Sequence, residues 1–265
     1  RSYGSLGEAE SLFKQALTED TDFLDAKLGL VRNLIMMNGP GLINDEELQR
    51  QAEPLLKQIR TDHPDNRLAE ALEIEINLRR QEVFMDPVRR EEGFSRLRSL
   101  LPLIPTETYI RQRVVGGMVG LLNRPEEALA VIEAGLMIDP LAPALHASQG
   151  GVLMEMERLE DALQAFTRAN ELDPLNPNYY GKLSDITARM GDLRGRMNWI
   201  RKAATDDPDD HELAANLARV LSALKLSEDC DRWARNVAVL APVSDVASKV
   251  ELLLAEALGD DDQTL

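Results

Sequence analysis

Four prolines recur at a constant interval of thirty-four residues, and this interval constrains the fold more than any other feature of the chain. They are Pro140, Pro174, Pro208 and Pro242. The first two close the apolar-periodic stretches that end in IDP at 138–140 and LDP at 172–174. A proline cannot continue a helix, because it lacks the backbone N–H and its ring clashes with the preceding turn. The interval therefore predicts a repeated unit in which a helix ends just before each proline.

The stretch 143–176 shows this unit most fully. Its key positions are a glycine where two helices must approach closely, an alanine, a phenylalanine, a second alanine and the closing proline: Gly150, Ala162, Phe166, Ala169 and Pro174. Small residues let helices touch, and Phe166 is interpreted as filling the space between units. The pattern resembles the tetratricopeptide repeat (TPR) signature of a small residue, then A-x-x-x-F, then Pro. The resemblance is specific over 109–244 and looser before it.

The same skeleton is found earlier in the chain with insertions. Ala52 and Pro64 are twelve residues apart, as are Gly93 and Pro105 and as are Ala162 and Pro174. Longer inter-helix turns are predicted at 38–45 and 82–87. Three residues near the start repeat the spacing of Ala162, Phe166 and Ala169 and indicate the second helix of a unit whose first helix is absent: Ala9, Phe13 and Ala16.

Fourteen helices are predicted in total. They lie near 5–19, 23–38, 46–61, 66–81, 88–102, 107–122, 125–138, 142–157, 159–172, 177–190, 193–206, 209–224, 226–240 and 243–258. The resemblance implies an all-α fold, a right-handed α-α superhelix (TPR solenoid) that runs as a single domain over residues 1–258. It comprises a leading half-repeat, irregular repeats at 5–105, regular repeats at 106–244, a capping helix at 243–258 and an acidic tail at 259–265.

Composition narrows the possible partners. The net charge of −16 disfavours nonspecific nucleic-acid binding and docking on anionic membranes, since both require a basic surface. No apolar run is long enough to cross a bilayer. Cys230 is the only cysteine, which excludes an intrachain disulfide and fits a reducing compartment. The expected location is cytoplasmic, with a periplasmic domain of a membrane-anchored protein as the alternative. The first residue, Arg1, indicates a piece of a longer protein.

No motif for catalysis, a cofactor or a metal was found. His211-Glu212 is not followed by the second histidine of a zinc-binding H-E-x-x-H helix. The acidic run 206–212 lacks the glycine and ligand spacing of a calcium loop, and we expect it to cap the next helix. Cys230 shares the register of Ala162 and is expected to be a small buried residue. We therefore predict that the chain is not an enzyme and binds neither cofactor nor metal.

In TPR proteins the first helix of each pair lines a concave groove, and the resemblance implies where a partner would bind. The positions carried over comprise arginines, a lysine, an aspartate and small residues: Arg32, Arg79, Arg113, Gly117, Ala147, Gly151, Asp185, Arg189, Arg219 and Lys249. Guanidinium groups bind carboxylates through paired hydrogen bonds. The expected partner is an extended or helical protein segment bearing Asp, Glu or a terminal carboxylate. The alternative is that these arginines pair with neighbouring acidic residues such as Glu75, Glu155 and Asp185.

One specialised form of this groove is not expected. The carboxylate clamp of chaperone-binding TPR domains uses Lys and Asn at set positions of successive units. Those positions here hold Arg113 with Gly117, Ala147 with Gly151, and Gly181 with Asp185. Binding of chaperone C-terminal tails is therefore not predicted.

Two apolar features of the sequence are candidate partner contacts. Trp199 and Trp233 are one repeat interval apart and share one register, either on the outer face or as an aromatic contact for a partner. Val83, Phe84 and Met85 fall in a predicted turn, where they either pack over an edge of the fold or form a docking contact. The unpartnered N-terminal helix is expected to fray or to pair with a second copy of the chain.

Residues 5–66 are similar to the early TPR region of bacterial membrane-anchored adenylate cyclases and winged-helix regulators. The excess of Arg over Lys fits a bacterial genome rich in G and C. These features leave two functions open: an independent protein-interaction scaffold, and an accessory or sensor domain of a larger enzyme or regulator. TPR segments attached to glycosyltransferases or sulfotransferases are an equal alternative for the second. A stand-alone enzyme is the least expected function.

Overall fold

The computed structural model describes residues 2–39, 41–174, 176 and 178–206, and within these residues the regular structure is entirely helical. The chain divides into two compact units, Arg1–Ile138 and Asp139–Leu265. Several predicted features lie outside the described residues: the helices beyond residue 206, Pro208, His211, Arg219, Cys230, Trp233, Pro242 and Lys249. The expectation of one continuous solenoid over 1–258 remains a prediction.

The described residues of the first unit form eight helices and a short 3-10 turn at Leu101–Leu103. The helices are α1 (Ser2–Glu19), α2 (Leu24–Asn38), α3 (Asp45–Asp62), α4 (Arg67–Arg79), α5 (Gln81–Phe84), α6 (Pro87–Leu100), α7 (Thr108–Gly120) and α8 (Pro125–Ile138). Apart from the short α5, each packs against the next, so that α2–α3, α4–α6 and α7–α8 form successive hairpins. The predicted helices are confirmed to within a few residues. The single-turn α5 was missed, since it occupies what the sequence presented as a turn.

The described part of the second unit contains two further hairpins. They are formed by α9 (Pro143–Glu155) with α10 (Leu159–Leu172) and by α11 (Asn178–Arg189) with α12 (Leu193–Asp206). Pro140 and Pro174 both lie in the turns that follow a helix, as the constant proline interval predicted.

Polar caps explain where several helices of the first unit begin. The side chain of Asn44 accepts a hydrogen bond from the backbone N–H of Glu47 at 2.8 Å, and Asn66 accepts one from Ala69 at the same distance. Asp86 does the same for α6, whose first residue is a proline. Each cap satisfies a backbone donor that the first turn of a helix leaves free.

Close contacts between helices depend on small residues, as predicted. Ala52 and Ala162 are fully buried. A Cβ added to Gly150 would overlap the ring of Phe166, because α9 and α10 approach each other closely there. The interpretation of Phe166 as a filler between hairpins was therefore incomplete, since its ring packs against Gly150 of its own hairpin. Gly117 of α7 has the same relation to Phe94 of α6.

The N-terminal helix α1 is held on one side only. Among the described side chains of residues 5–19, none is fully buried, and Leu12 is 65% exposed. Phe13 packs against Gly29 of α2, and Asn33 Nδ2 of α2 donates to the backbone carbonyl of Leu6 at 3.0 Å. Association through this end of the chain remains a prediction.

A residue with a positive φ angle recurs in the turns inside three successive hairpins. Asn123, Glu157 and Gly191 all have positive φ angles, of 54°, 57° and 76°, and the same interval of thirty-four residues separates them. Each comes within three residues of the end of the first helix. The backbone N–H groups of Arg158 and Asp192 donate hydrogen bonds to the carbonyls five residues earlier, those of Leu153 and Thr187, both at 2.9 Å. At Glu157 and Gly191 the left-handed residue therefore closes the helix in a Schellman motif, a position that favours glycine.

We therefore expect glycine to be more stable than alanine at the left-handed position of each of these turns. Glu157→Gly should be more stable than Glu157→Ala by about 1 kcal/mol, because both lose the side chain and only alanine strains the left-handed backbone. Gly191→Ala should lose about the same amount, since open space surrounds it and the effect comes from the backbone alone. Urea unfolding of the three variants measures both differences. Equal stability of the two variants at 157 would contradict the backbone explanation.

Candidate binding surface

The first helices of the three hairpins in the first unit bring a polar cluster together. We call it the α2–α4–α7 face, and its members are Arg32, Asn38, Glu75, Arg79, Glu107, Tyr109 and Arg113. Glu75 lies at its centre with a fully buried side chain. A buried carboxylate needs strong partners, because its transfer from water is costly.

Two guanidinium groups and one phenol converge on a single oxygen of Glu75. Arg79 donates from Nε to Oε1 at 3.0 Å, and its Nη2 lies 2.9 Å from the same oxygen and donates to the hydroxyl of Tyr109 at 3.3 Å. Arg113 of the next hairpin donates from Nε at 2.6 Å, and the hydroxyl of Tyr109 donates at 3.3 Å. Oε2 of Glu75 is buried and has no hydrogen-bond partner among the described residues. The carboxylate therefore joins α4 to α7 through one oxygen.

The cluster extends to α2 through two further contacts. Arg79 Nη1 donates to Asn38 Oδ1 at 2.7 Å, at the end of α2. Arg32 Nη1 donates to Glu107 Oε2 at 3.2 Å, just before α7. Polar bonds therefore connect all three first helices of this unit.

The cluster holds more positive than negative groups. Three guanidinium groups share two carboxylates, those of Glu75 and Glu107. The side chains of Arg32 and Arg113 remain 43% and 36% exposed, whereas that of Arg79 is 17% exposed. The face thus presents two accessible cations whose charge the neighbouring carboxylates only partly offset.

The pKa of the Tyr109 phenol is shifted by its buried and charged surroundings in this cluster. Burial, reinforced by the nearby charge of Glu75 and opposed by the arginines, raises the pKa of Tyr109 to about 12. Because the pKa is higher in the folded state, the stability from this group is present below the ordinary tyrosine pKa. It is lost as the pH rises through the folded value.

A spectrophotometric titration of the folded protein should therefore show one of its four tyrosines ionising near pH 12. Tyr109→Phe should remove this step and leave the others. A Tyr109→Phe protein that retains the late step would show that another tyrosine is responsible.

The structure places the predicted groove residues in different settings. Arg32, Arg79 and Arg113 come together, and each is ion-paired, to Glu107 or Glu75 as described above. Gly117 faces Phe94 and is buried, whereas an added Cβ on Gly116 or Gly120 of the same helix would meet open space.

The predicted positions of the second unit form no comparable cluster among the described residues. Arg189 pairs with Glu157 at 2.7 Å, an acidic residue that sequence reasoning did not name. Ala147 and Gly151 are half-buried, and Asp185 is exposed. Open space surrounds a Cβ added at Gly151.

Sequence reasoning missed Asn38, Glu107 and Tyr109. A signal for one of them was present, since the repeat interval separates Glu75 from Tyr109 and also Arg79 from Arg113. The repeat therefore places an acidic residue and a phenol in equivalent positions, each followed four residues later by an arginine. Glu107 gave no such signal, because it precedes its helix and its partner lies 75 residues away.

The described residues hold neither a metal site nor a membrane-spanning helix. Among residues 2–39, 41–174, 176 and 178–206 there is no group of His, Cys, Asp and Glu side chains that could hold a metal ion. Within that part of the chain, no helix has the length and apolarity needed to cross a membrane.

Comparison with solved structures identifies the fold. The type IV pilus biogenesis factor PilW superposes with a TM-score of 0.59 at 18% identity, over 84% of this chain and 97% of that one. The Cut9–Hcn1 complex of APC/C gives a TM-score of 0.58 at 13% identity, over 97% of this chain and 47% of that one. YrrB, described as a TPR protein with an unusual peptide-binding site, gives a TM-score of 0.47 at 14% identity, over 58% and 78%.

No protein-family model matches the sequence, and no curated protein is significantly similar to it. The helical hairpins and the superpositions on PilW and Cut9–Hcn1 nevertheless define the class of fold. The chain has the tetratricopeptide-repeat fold, as its sequence predicted.

Proposed function

We propose that the chain is a protein-interaction scaffold whose α2–α4–α7 face binds a protein segment bearing Asp, Glu or a terminal carboxylate. The observation that carries this proposal is the excess of guanidinium groups over carboxylates on this face. Arg32 and Arg113 are the accessible members, and an arginine can bind a carboxylate through two parallel hydrogen bonds.

The shape of α7 beside Arg113 supports the same proposal. Gly116 and Gly120 follow Arg113 by three and seven residues, so all three lie along one side of the helix. Neither glycine has a neighbour within van der Waals reach of an added Cβ among the described residues. A bound segment could therefore approach the backbone of α7 closely next to a cation.

The test begins with peptides selected from a random library displayed on phage, using the full chain as the target. We expect an enriched class that contains Asp or Glu and that weakens when these residues are changed to Asn or Gln. Arg113→Gln should weaken binding of this class by about tenfold or more, because a charged hydrogen bond contributes about 1.5–3 kcal/mol. Arg113→Lys should retain more of it, since the charge remains.

Arg50→Gln is the matched control. Arg50 is 72% exposed on α3 and pairs with Glu47 of its own helix, so its loss removes one positive charge elsewhere on the surface. Thermal unfolding of each variant verifies that the fold is intact. The proposal fails if the selected peptides lack acidic residues, or if Arg50→Gln weakens binding as much as Arg113→Gln.

A further inference from the structure

Helix α12 is basic, although the chain as a whole carries a net charge of −16. It contains Arg194, Arg196, Arg201 and Lys202, and its only carboxylate is Asp206 at the last position. A local charge opposite to that of the whole chain matters for recognition, because salt screens charges beyond about 8 Å at physiological ionic strength.

Helices α6 and α12 are both rich in arginine, but they differ in the ion pairs that their cations make. On α6, Arg96 and Arg98 pair with carboxylates of neighbouring helices, Glu70 and Glu127. On α12, three cations make no ion pair with any described residue: Arg194, Arg196 and Lys202. Arg194 and Lys202 are exposed, whereas Arg196 is half-buried and its Nε atom is buried. The accessible charge of α12 therefore lies on Arg194 and Lys202.

Three polar residues occupy the outer face of α12. The buried side of the helix is formed by Met197, Ile200 and Ala203. Arg194, Asn198 and Lys202 follow one another at intervals of four residues, and all three are exposed. At a rise of about 1.5 Å per residue they form a row of about 12 Å along the helix.

An aromatic pair borders this row. Trp199 is half-buried, and its ring stacks on that of Tyr180 of α11, with centroids 6.5 Å apart and planes at 26°. The ammonium group of Lys202 lies 5.3 Å from the centroid of Tyr180 and 5.9 Å from that of Trp199. Cation–π attraction therefore holds Lys202 next to an apolar surface.

We propose that this row, together with Trp199, is a second docking surface, and that it binds an acidic amphipathic segment of another protein. We call it the α12 face, defined by Arg194, Asn198, Lys202 and Trp199. Carboxylates two helical turns apart on the partner, about 12 Å along a helix, would meet Arg194 and Lys202. An apolar partner side chain would cover the exposed part of the Trp199 ring. Tryptophan and arginine are the residue types that most often dominate binding energy at interfaces.

The dimensions of the row favour a polypeptide over a nucleic acid. A duplex presents one negative charge per about 1.7 Å of its axis and requires a basic surface that extends along it. The row offers two cations over about 12 Å and belongs to an acidic chain, so a duplex would meet repulsion beyond it. A peptide with two or three carboxylates matches the row in length and charge, and it does not extend beyond the row.

The selection described above also tests this proposal, with a charge-reversed full chain, Arg194→Glu/Lys202→Glu. We expect a class of selected acidic peptides with at least one large apolar residue whose binding falls about tenfold or more in this variant. Lys57→Glu is the matched control, because Lys57 is exposed on α3 and makes no ion pair with a described residue. It should leave the affinity of these peptides nearly unchanged.

The variants separate this proposal from the proposed function. Peptides of the α12 face should be insensitive to Arg113→Gln, and those of the α2–α4–α7 face should be insensitive to the α12 double variant. The α12 proposal is overturned if no selected peptide depends on the double variant or if Lys57→Glu has an equal effect. It is also overturned if an oligonucleotide of equal charge binds this face as tightly, or if sedimentation shows a dimer that the double variant abolishes.

Discussion

Glu75→Ala should lower the free energy of unfolding by about 2–4 kcal/mol. Among the described residues, Glu75 is the only carboxylate to which Arg79 and Arg113 are bonded, and it joins two hairpins. Removing one member of a fully buried ion pair costs about 3–5 kcal/mol. The expected loss is smaller here, because both guanidinium groups reach solvent and can be hydrated after the carboxylate is gone.

Urea unfolding, followed by circular dichroism, measures this loss, and Glu73→Ala provides the matched control. Glu73 lies two residues away on the same helix, but its side chain is 52% exposed and reaches Arg60 only at 3.8 Å. Exposed pairs of this kind contribute about 0–1 kcal/mol. A Glu75→Ala protein as stable as Glu73→Ala would show that the buried cluster contributes nothing to the cohesion of α4 and α7.

Gly117→Ala and Gly116→Ala should have opposite effects on stability, although the two residues are neighbours on α7. A Cβ at 117 would overlap the ring of Phe94, which is 3% exposed and closely surrounded. Overpacking of this kind costs about 1–3 kcal/mol. A Cβ at 116 meets open space, so Gly116→Ala should gain about 0.5–1 kcal/mol from the better helix propensity of alanine.

The urea concentrations at the midpoint of unfolding allow a direct comparison of these two variants. The double variant Gly117→Ala/Phe94→Leu supplies the second test, since a smaller side chain at 94 leaves room for the added methyl group. The penalty for Gly117→Ala should therefore be smaller in the Phe94→Leu background than in the unchanged protein. If both single variants are equally stable, or if the penalty persists unchanged in the Phe94→Leu background, the contact between α6 and α7 is not what limits residue 117.

The fold was predictable because its signals are local and repeated. Pro140 and Pro174 end helices for a steric reason that needs no knowledge of the partner helix. Ala162 and Ala52 mark close contacts through their size and recur at the same distance from a proline. The hairpins follow from these positions, since a helix that buries one face must find a neighbour.

The candidate sites were less predictable, because they depend on the directions in which long side chains extend from their helices. The position of Arg113 on its helix was predicted from the TPR pattern, and its pairing with Glu75 was one of two alternatives left open. The spacing of Gly116 and Gly117 did not reveal which one faces Phe94. The basic character of α12 was visible in the sequence, but only the structure shows that Arg194 and Lys202 make no ion pair with a described residue.

The sharing of one carboxylate oxygen between two hairpins has a consequence for any ligand of this unit. An incoming carboxylate that draws Arg113 away from Glu75 leaves a desolvated anion with fewer donors. Binding of such a ligand and the packing of α4 on α7 are thus thermodynamically linked, so that a ligand that binds Arg113 more tightly weakens the contact between the two helices. If the α2–α4–α7 face binds a carboxylate as proposed, we expect a free amino acid or a short acid to bind more weakly than a longer segment, because only the segment can make additional contacts along the repeats.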